Sequence, residues 1–528
     1  MIVRQSAPAS LIGGFVVMAF CLTGCASLPK LDGRIPSTAL TDTAGTTMGQ
    51  AVASDAAGKG DASGVHPLEK PREAFAARVV LARAAERSLD VQYYIWHGDT
   101  AGTLLFGELW DAAERGVRVR LLLDDNSTAG MDGIIAALDS HAGIEVRLFN
   151  PFVNRGSRLL GYLTDFDRLN HRMHNKSFTA DNQLTIVGGR NVGDEYFAAG
   201  GGMVIQDLDV VGAGPVAAAA GKAFDLYWNS ESAYPAEAIV GKPATDAVDE
   251  LKARIAAVRA SAEAREYLEE VGATRLVADL VARRLSLQWV PVRLLYDEPG
   301  KALGTAQDQE LLFVRLVQAI GSPQRELDLI SPYFVPGKKG TAALAAHAAR
   351  GVKLRILTNS LAATDVGAVH AGYAKRRKPL LRSGARIYEL KPDAAAAAAD
   401  AGRREEKRAP GGSSGGSSAV SLHAKTFAVD RSRVFVGSFN FDPRSARLNT
   451  EMGVLIDSPV LAEAIASGLD EKLPLAAYEV VLSADGERLE WVEQTPRGEV
   501  RHTTEPQTGF FKRLGVGLMS LLPIEGML

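Results

Sequence analysis

The chain of 528 residues is 46% hydrophobic and 23% charged, enough apolar material for more than one buried core. A formal net charge of −3 supplies no overall basic field of the kind that gathers nucleic acid. The only two cysteines, Cys21 and Cys25, fall near the N-terminus, which excludes a disulfide framework and a thiolate-based zinc site from the remainder.

From the N-terminus, Arg4 precedes an apolar run over residues 11–23. That run is shorter than the roughly 18 residues needed to span a bilayer, so residues 1–25 read as a signal peptide. It closes on Leu22-Thr23-Gly24-Cys25, which resembles a lipobox, with an ordinary secretory signal as the alternative. The lipobox reading predicts that Cys25 is acylated and that the body is lipid-anchored in a bacterial cell envelope, facing the periplasm. Residues 26–66 are rich in Ala, Gly, Ser, Thr and Asp and read as a flexible tether, with order expected near Pro67.

An internal repeat follows. Residues 89–96 read as a buried strand whose counterpart is residues 327–334, and Arg115-Gly116-Val117 finds its counterpart in Arg350-Gly351-Val352. The copies are separated by a nearly constant interval of roughly 240 residues. Strands alternating with helices predict an α/β fold in two homologous halves, 67–248 and 286–500. A helical connector is expected over 249–285, a low-complexity insert over 393–420, and an apolar tail over 501–528.

Each half carries the same constellation. The first is His174-Asn175-Lys176, four residues, Asp181, six residues, then Gly188-Gly189-Arg190-Asn191. The second is His423-Ala424-Lys425, four residues, Asp430, six residues, then Gly437-Ser438-Phe439-Asn440. Alternation along a strand puts each His and Lys on one face. An ammonium and an amide can neutralise the phosphoryl oxygens of a phosphodiester, so Lys176, Lys425, Asn191 and Asn440 are the expected phosphate contacts. Of two imidazoles, a neutral one can attack phosphorus and a protonated one can release the alkoxide, through a phosphohistidine. Each needs a carboxylate to fix its tautomer. Aligning the halves on Pro215-Val216 and Pro459-Val460 sets Asp207 opposite Glu451, and these are the favoured partners. Asp181 and Asp430 are grouped with the catalytic residues by spacing and expected to hold local geometry.

This duplicated pattern resembles the phospholipase D superfamily. The flanks, including residues 168–174, 188–197, 357–381 and 438–445, are similar to bacterial cardiolipin synthases, particularly the C-type. The resemblance runs from about Pro67 to the C-terminus. It implies two phospholipase D-type α/β sandwich halves about a pseudo-twofold axis with one shared active site. It further implies His174 as nucleophile and His423 as general acid, with the exchanged assignment open. The implied activity is phosphatidyl transfer to phosphatidylglycerol, from a second phosphatidylglycerol or from phosphatidylethanolamine, needing no cofactor and no metal. The partners are then phospholipids and a membrane, not nucleic acid. A hydrolase releasing phosphatidic acid, a superfamily nuclease and an inactive lipid-binding envelope protein are the competing readings.

Other features have blander readings. His171 reads as a structural or rim histidine and Asp124-Asp125-Asn126 as a capped turn. Lys375-Arg376-Arg377-Lys378 fits either a headgroup contact or a solvated helix face. His370 and Tyr373 fit substrate contact, and residues 510–528 fit either an interfacial helix or packing on the body.

Overall fold

Strand propensity and crossover helices build the first sheet. The computed structural model describes residues 27–200, 203–281, 286–393, 420–522 and 525–528; Cys25 and most of the 393–420 insert lie outside them. The first half contributes β1 (Ser63–Leu68), β2 (Ser88–Tyr93), β3 (Arg118–Asp124), β4 (Ile144–Phe149), β5 (Ser177–Ala180), β6 (Leu184–Gly188), β7 (Val204–Gln206), β8 (Asp209–Ala213), β9 (Ala233–Pro235) and β10 (Gln288–Val290). β2, β3 and β4 run parallel, joined by the helices Thr100–Glu114 and Asp132–Asp139. β5, β6, β8 and β1 extend the sheet antiparallel, in the order β10-β1-β8-β6-β5-β2-β3-β4-β9. β2 is buried along its whole length, as a strand covered on both faces must be.

The second half repeats this. It contributes β11 (Val292–Tyr296), β12 (Glu326–Ile330), β13 (Lys353–Asn359), β14 (Arg386–Leu390), β15 (Val420–Leu422), β16 (Lys425–Val429), β17 (Arg433–Gly437), β18 (Met452–Ile456), β19 (Ala477–Leu482), β20 (Leu489–Thr495) and β21 (Gly498–His502). Its order, β11-β18-β17-β16-β12-β13-β14-β19, matches β1-β8-β6-β5-β2-β3-β4-β9 strand for strand, and β20 and β21 extend the far edge. The repeat in the sequence is therefore a repeat of topology.

The halves meet face to face at the hairpins that carry the repeated motif. Val65, Val187, Val210 and Val216 of the first half form one buried cluster with Val434, Val436, Met452, Val454 and Ile456 of the second. β7 and β15 add a small parallel sheet that crosses between halves. Helices Ala247–Ala260 and Ala262–Gly272 place Leu251, Ile255, Tyr267 and Val271 in the first half's core.

Two expectations are corrected. Residues 26–66 are not a free tether over their described part. The Arg34 guanidinium donates to the carbonyls of Ser230, Asn229 (2.7 Å) and Ala233 (2.8 Å), and the Ala39 N–H donates to Asp225 at 2.9 Å. A helix at Thr47–Asp55 is capped by Thr46, and β1 begins at Ser63, before Pro67. Composition misses this because the hold comes from unsatisfied carbonyls at the end of the helix Pro215–Trp228 and from an open edge at β8. The C-terminal tail is a helix at Phe510–Leu521 that packs Val516 and Met519 on Leu361 and Ala371 and leaves its other face outward.

Arg34→Ala removes three charge-assisted bonds to carbonyls. Amide hydrogens of residues 34–39 are expected to exchange about tenfold faster, a local opening that hydrogen-exchange mass spectrometry reads directly. Unchanged exchange would mean that the strap is held by other contacts.

Candidate active site

His174 and Lys176 enter β5, and His423 and Lys425 enter β16. At the opposite end of each hairpin the chain turns through two left-handed residues, Asp181-Asn182 (φ 50° and 52°) and Asp430-Arg431 (φ 53° and 50°). Asp181 accepts the backbone N–H groups of Glu86 (3.0 Å), Arg87 (2.8 Å) and Ser88 (2.9 Å). Asp430 accepts those of Gln324 (3.0 Å), Arg325 (2.7 Å) and Glu326 (3.0 Å). Both aspartates thus moor the hairpin to the start of the neighbouring parallel strand. The four residues of β5 alone put about 13 Å between Asp181 and the imidazole end, at ~3.3 Å per residue. Their grouping with the catalytic residues is corrected: they set geometry at the far end.

The carboxylates that do meet the imidazoles come from the other half. His174 Nδ1 lies 2.8 Å from Glu451 Oε2, and His423 Nδ1 lies 2.5 Å from Asp207 Oδ2. The backbone crosses with them. The His174 N–H donates to the Thr450 carbonyl at 2.9 Å, and the His423 N–H to the Gln206 carbonyl at 2.7 Å. Each histidine is therefore held by the residue pair 206–207 or 450–451 of the opposite half. With Nδ1 engaged, Nε2 is the nitrogen left for chemistry.

His174, Lys176 and Lys425 are buried and His423 is 13% exposed, and their charges act on one another. Burial, with Lys176 next in importance, pushes the His174 imidazole well below its ordinary value. Burial and Lys425 lower His423 to about 4. Lys176 is driven well down by burial, and Lys425 down to about 8. Lys176 Nζ donates to the His174 carbonyl at 2.6 Å, and Lys425 Nζ likewise to the His423 carbonyl. The two carboxylates differ. Although desolvated, Asp207 is held down at about 2, chiefly by Lys425 and His423, whereas burial raises Glu451 to about 7.

Charge sets that difference: Lys425 and His423 outweigh burial at Asp207, whereas at Glu451 burial outweighs Lys176 and the Ser438 hydroxyl, both of which favour the ionised form. Ser438 Oγ donates to Glu451 Oε2 at 2.5 Å. Gly189 occupies the matching place in the first half, where a Cβ would meet Asp207 Oδ1 at 2.2 Å. A glycine is required there because the aspartate fills the space. Ser438 was not singled out by the sequence, although the Gly-Gly and Gly-Ser turns mark the position.

The asparagines are not equivalent. Asn191 Nδ2 donates to the Tyr196 hydroxyl at 2.9 Å and its Oδ1 accepts the Ile95 N–H at 3.3 Å, so its expected phosphate contact is already occupied. Asn440 Oδ1 is buried with no hydrogen-bond partner among the described residues. Two tyrosines that the sequence did not flag line the histidines edge-on, Tyr94 at 4.9 Å from His174 and Tyr196 at 5.4 Å from His423. Asp297, bonded to Lys301 at 2.8 Å, accepts the Glu451 N–H at 2.9 Å.

The remaining sequence features resolve structurally. Asp124 caps its turn through the Asn126 N–H (2.8 Å) and also accepts the Met173 N–H at 2.7 Å, next to the histidine. His171 Nδ1 lies 2.8 Å from the Asp167 carbonyl. Arg377 is buried, bonding Glu505 at 2.6 Å and lying 3.3 Å from Glu389, which also accepts from Tyr373 at 2.9 Å. His370 joins the same network, so His370, Tyr373 and Arg377 form a support and not a substrate contact. Among the described residues, one group could gather donors around a metal, His97, Asp99 and Glu195. Asp99 is already committed to the N–H groups of Gly102 and Asp194.

Comparisons with known proteins agree with this arrangement. A family model described as the phospholipase D-like domain of cardiolipin synthase matches residues 80–211 and 316–473, one segment in each half. Cardiolipin synthase C of Escherichia coli (strain K12) is 48% identical over 88% of this chain and 96% of its own length. An uncharacterized protein of Helicobacter pylori (strain ATCC 700392 / 26695) is 33% identical over 86% and 88%. The solved phosphatidylserine synthase of Haemophilus influenzae Rd KW20 has the same fold, with TM-score 0.52 and 14% identity over 89% of this chain and 98% of that one.

Asp181→Ala should destabilise the protein by about 3 kcal/mol, because three N–H groups lose their acceptor, two of them in part-buried and one in buried surroundings. Asp430→Ala should cost less, since water reaches the Gln324 and Arg325 N–H groups. Urea denaturation of the two variants compares them, and equal losses would show that burial does not set the cost.

Proposed function

The chain belongs to the cardiolipin synthases with phospholipase D-like domains, and we propose that it is a phosphatidyl transferase forming cardiolipin from phosphatidylglycerol and a second phospholipid. One observation carries the reading: two imidazoles, each steered by a carboxylate of the opposite half, lie close enough to two buried lysines for all four charges to act on one another. Such a cluster of positive charge in low dielectric calls for an anion, and a phosphodiester supplies it.

In the proposed reaction Lys176, Lys425 and Asn440 hold the phosphoryl oxygens. His174 Nε2 attacks phosphorus as the neutral imidazole, a state that its lowered pKa and the raised pKa of Glu451 both favour. The P–O bond to the leaving glycerol or ethanolamine alkoxide breaks, and His423, supported by the ionised Asp207, gives that oxygen its proton. Substrate phosphate raises the His423 pKa toward that role by opposing the lysine charges. The phosphatidyl group is then on His174. A hydroxyl of phosphatidylglycerol attacks it, His423 takes the proton, and the histidine is regenerated. One diester replaces another, so no external energy source and no cofactor enter the balance.

The acceptor decides between transfer and hydrolysis. With phosphatidylglycerol vesicles the purified enzyme should yield cardiolipin, identified by mass spectrometry; phosphatidic acid as sole product would assign it to hydrolysis. His174→Ala should abolish turnover, and wild-type-like rates in that variant would move the nucleophile elsewhere. We further propose that the leader anchors the enzyme through an acylated Cys25 on the periplasmic side of the envelope. Among the described residues no helix is long and apolar enough to cross a membrane, so attachment would fall to such an anchor or to surface contacts.

The Lys425 pKa of about 8 gives a signed pH dependence. The ammonium is present below that value and lost above it, so kcat/KM should fall as pH rises through about 8. Lys425→Arg keeps its charge at every accessible pH and should erase this limb while lowering the plateau. A limb that survives the substitution would assign it to another group.

A further inference from the structure

We propose that two outward-facing apolar helices, each linked by a chain of contacts to the motif histidines or lysines, form a footprint that seats the enzyme on the surface of a phospholipid bilayer. The proposal rests on the lipid-exchange reading for its choice of occupant.

The first helix is Phe510–Leu521. Val516 and Met519 face the body, where Gly367 would bring a Cβ within 3.8 Å and 3.6 Å of them. Phe511, Leu514, Leu518 and Leu521 recur at helical spacing on the opposite face, with Phe511 84% and Leu521 80% exposed. The helix contains no acidic residue. Basic groups accompany it: Lys512 on the helix is exposed, and Lys375 reaches the Leu522 carbonyl just beyond it at 3.4 Å. The second helix is Arg158–Thr164, with Leu159 and Leu163 over 70% exposed and Phe166 half-exposed just beyond. The helix itself lacks acidic residues, and of the two aspartates that flank Phe166, Asp165 is paired with Arg168.

Both helices connect to the reacting groups. Tyr162 of the second helix donates to Asn126 at 2.7 Å, Asn126 donates to the Tyr94 hydroxyl at 3.2 Å, and Tyr94 lies edge-on to His174. The first helix packs on the segment that follows Asp365, whose carboxylate accepts from Tyr333 at 2.8 Å and acts on Lys425. Arg444 joins the two: its N–H donates to the Leu528 carbonyl at 2.7 Å, and its guanidinium to Asn170 Oδ1 at 2.6 Å. Monomers rarely expose several large apolar side chains together, and an apolar stripe accompanied by lysines matches the acyl boundary beneath anionic headgroups. Docking both helices on one leaflet would present headgroups to the histidines without lifting whole lipids into water.

The test uses the full chain with Leu163→Ser, Phe511→Ser and Leu518→Ser together, none of which touches the catalytic groups. Turnover on phosphatidylglycerol vesicles should fall at least tenfold, through a higher lipid concentration for half-maximal rate. Turnover of short-chain phosphatidylglycerol below its micelle concentration should stay within twofold of wild type. Unchanged vesicle turnover, or equal loss on both substrates, overturns the proposal. So does a wild-type dimer, seen by mass photometry, that the triple variant converts to monomer, since the patch would then be covered by a second copy. Phe511→Trp separates this inference from the reaction itself. A blue shift of its emission on adding phosphatidylglycerol vesicles supports the footprint even if no cardiolipin forms, and no shift counts against it.

Discussion

Neither motif histidine of this protein takes its carboxylate from its own half. His174 is steered by Glu451 and His423 by Asp207, and the backbone segments carrying those acids are bonded to the histidine backbones as well. The reacting centre therefore exists only when the two halves are docked. The valine-rich cluster between the motif hairpins supplies the apolar area that keeps them docked, so packing and chemistry are joined at one surface. A small displacement there would lengthen both imidazole contacts together, which ties the fidelity of the site to the tightness of an ordinary hydrophobic core.

Burying three basic groups, and most of a fourth, beside two acids is costly, and the protein does not neutralise the cost locally. The lysines donate to the carbonyls of their own histidines and not to a carboxylate, so their charge remains directed at whatever enters the pocket. The scaffold handles its other buried charges in the opposite way. Arg78 is paired with Asp209 at 2.9 Å, Arg120 with Asp90 at 2.6 Å, and Arg377 with Glu505 at 2.6 Å. Charge in the scaffold is cancelled by a paired carboxylate, whereas the charge of the two motif lysines is left partly open.

The pseudo-twofold relation is broken where two different jobs are needed. Lys425 and the bonded His423 keep Asp207 ionised, whereas burial outweighs Lys176 and the Ser438 hydroxyl at Glu451 and leaves it readily protonated. Duplication supplies two similar imidazoles, both lowered by burial and by a neighbouring lysine, beside two acids whose proton affinities differ.

The sequence by itself determined the duplicated α/β architecture, the His and Lys pairs at the head of a strand, and the acids at 207 and 451, because these are carried by local periodicity and by a repeat that can be aligned with itself. It could not decide that the acids serve the opposite half, that Asp181 and Asp430 moor a hairpin, or that Asn191 is tied to Tyr196, since each depends on residues brought together from distant segments. It also mistook residues 26–66 for a tether, because the carbonyls and strand edge that hold their described part belong to residues about 140–200 positions away. Short-range pattern reports which groups are made, and only the docking of two sheets reports which of them face each other.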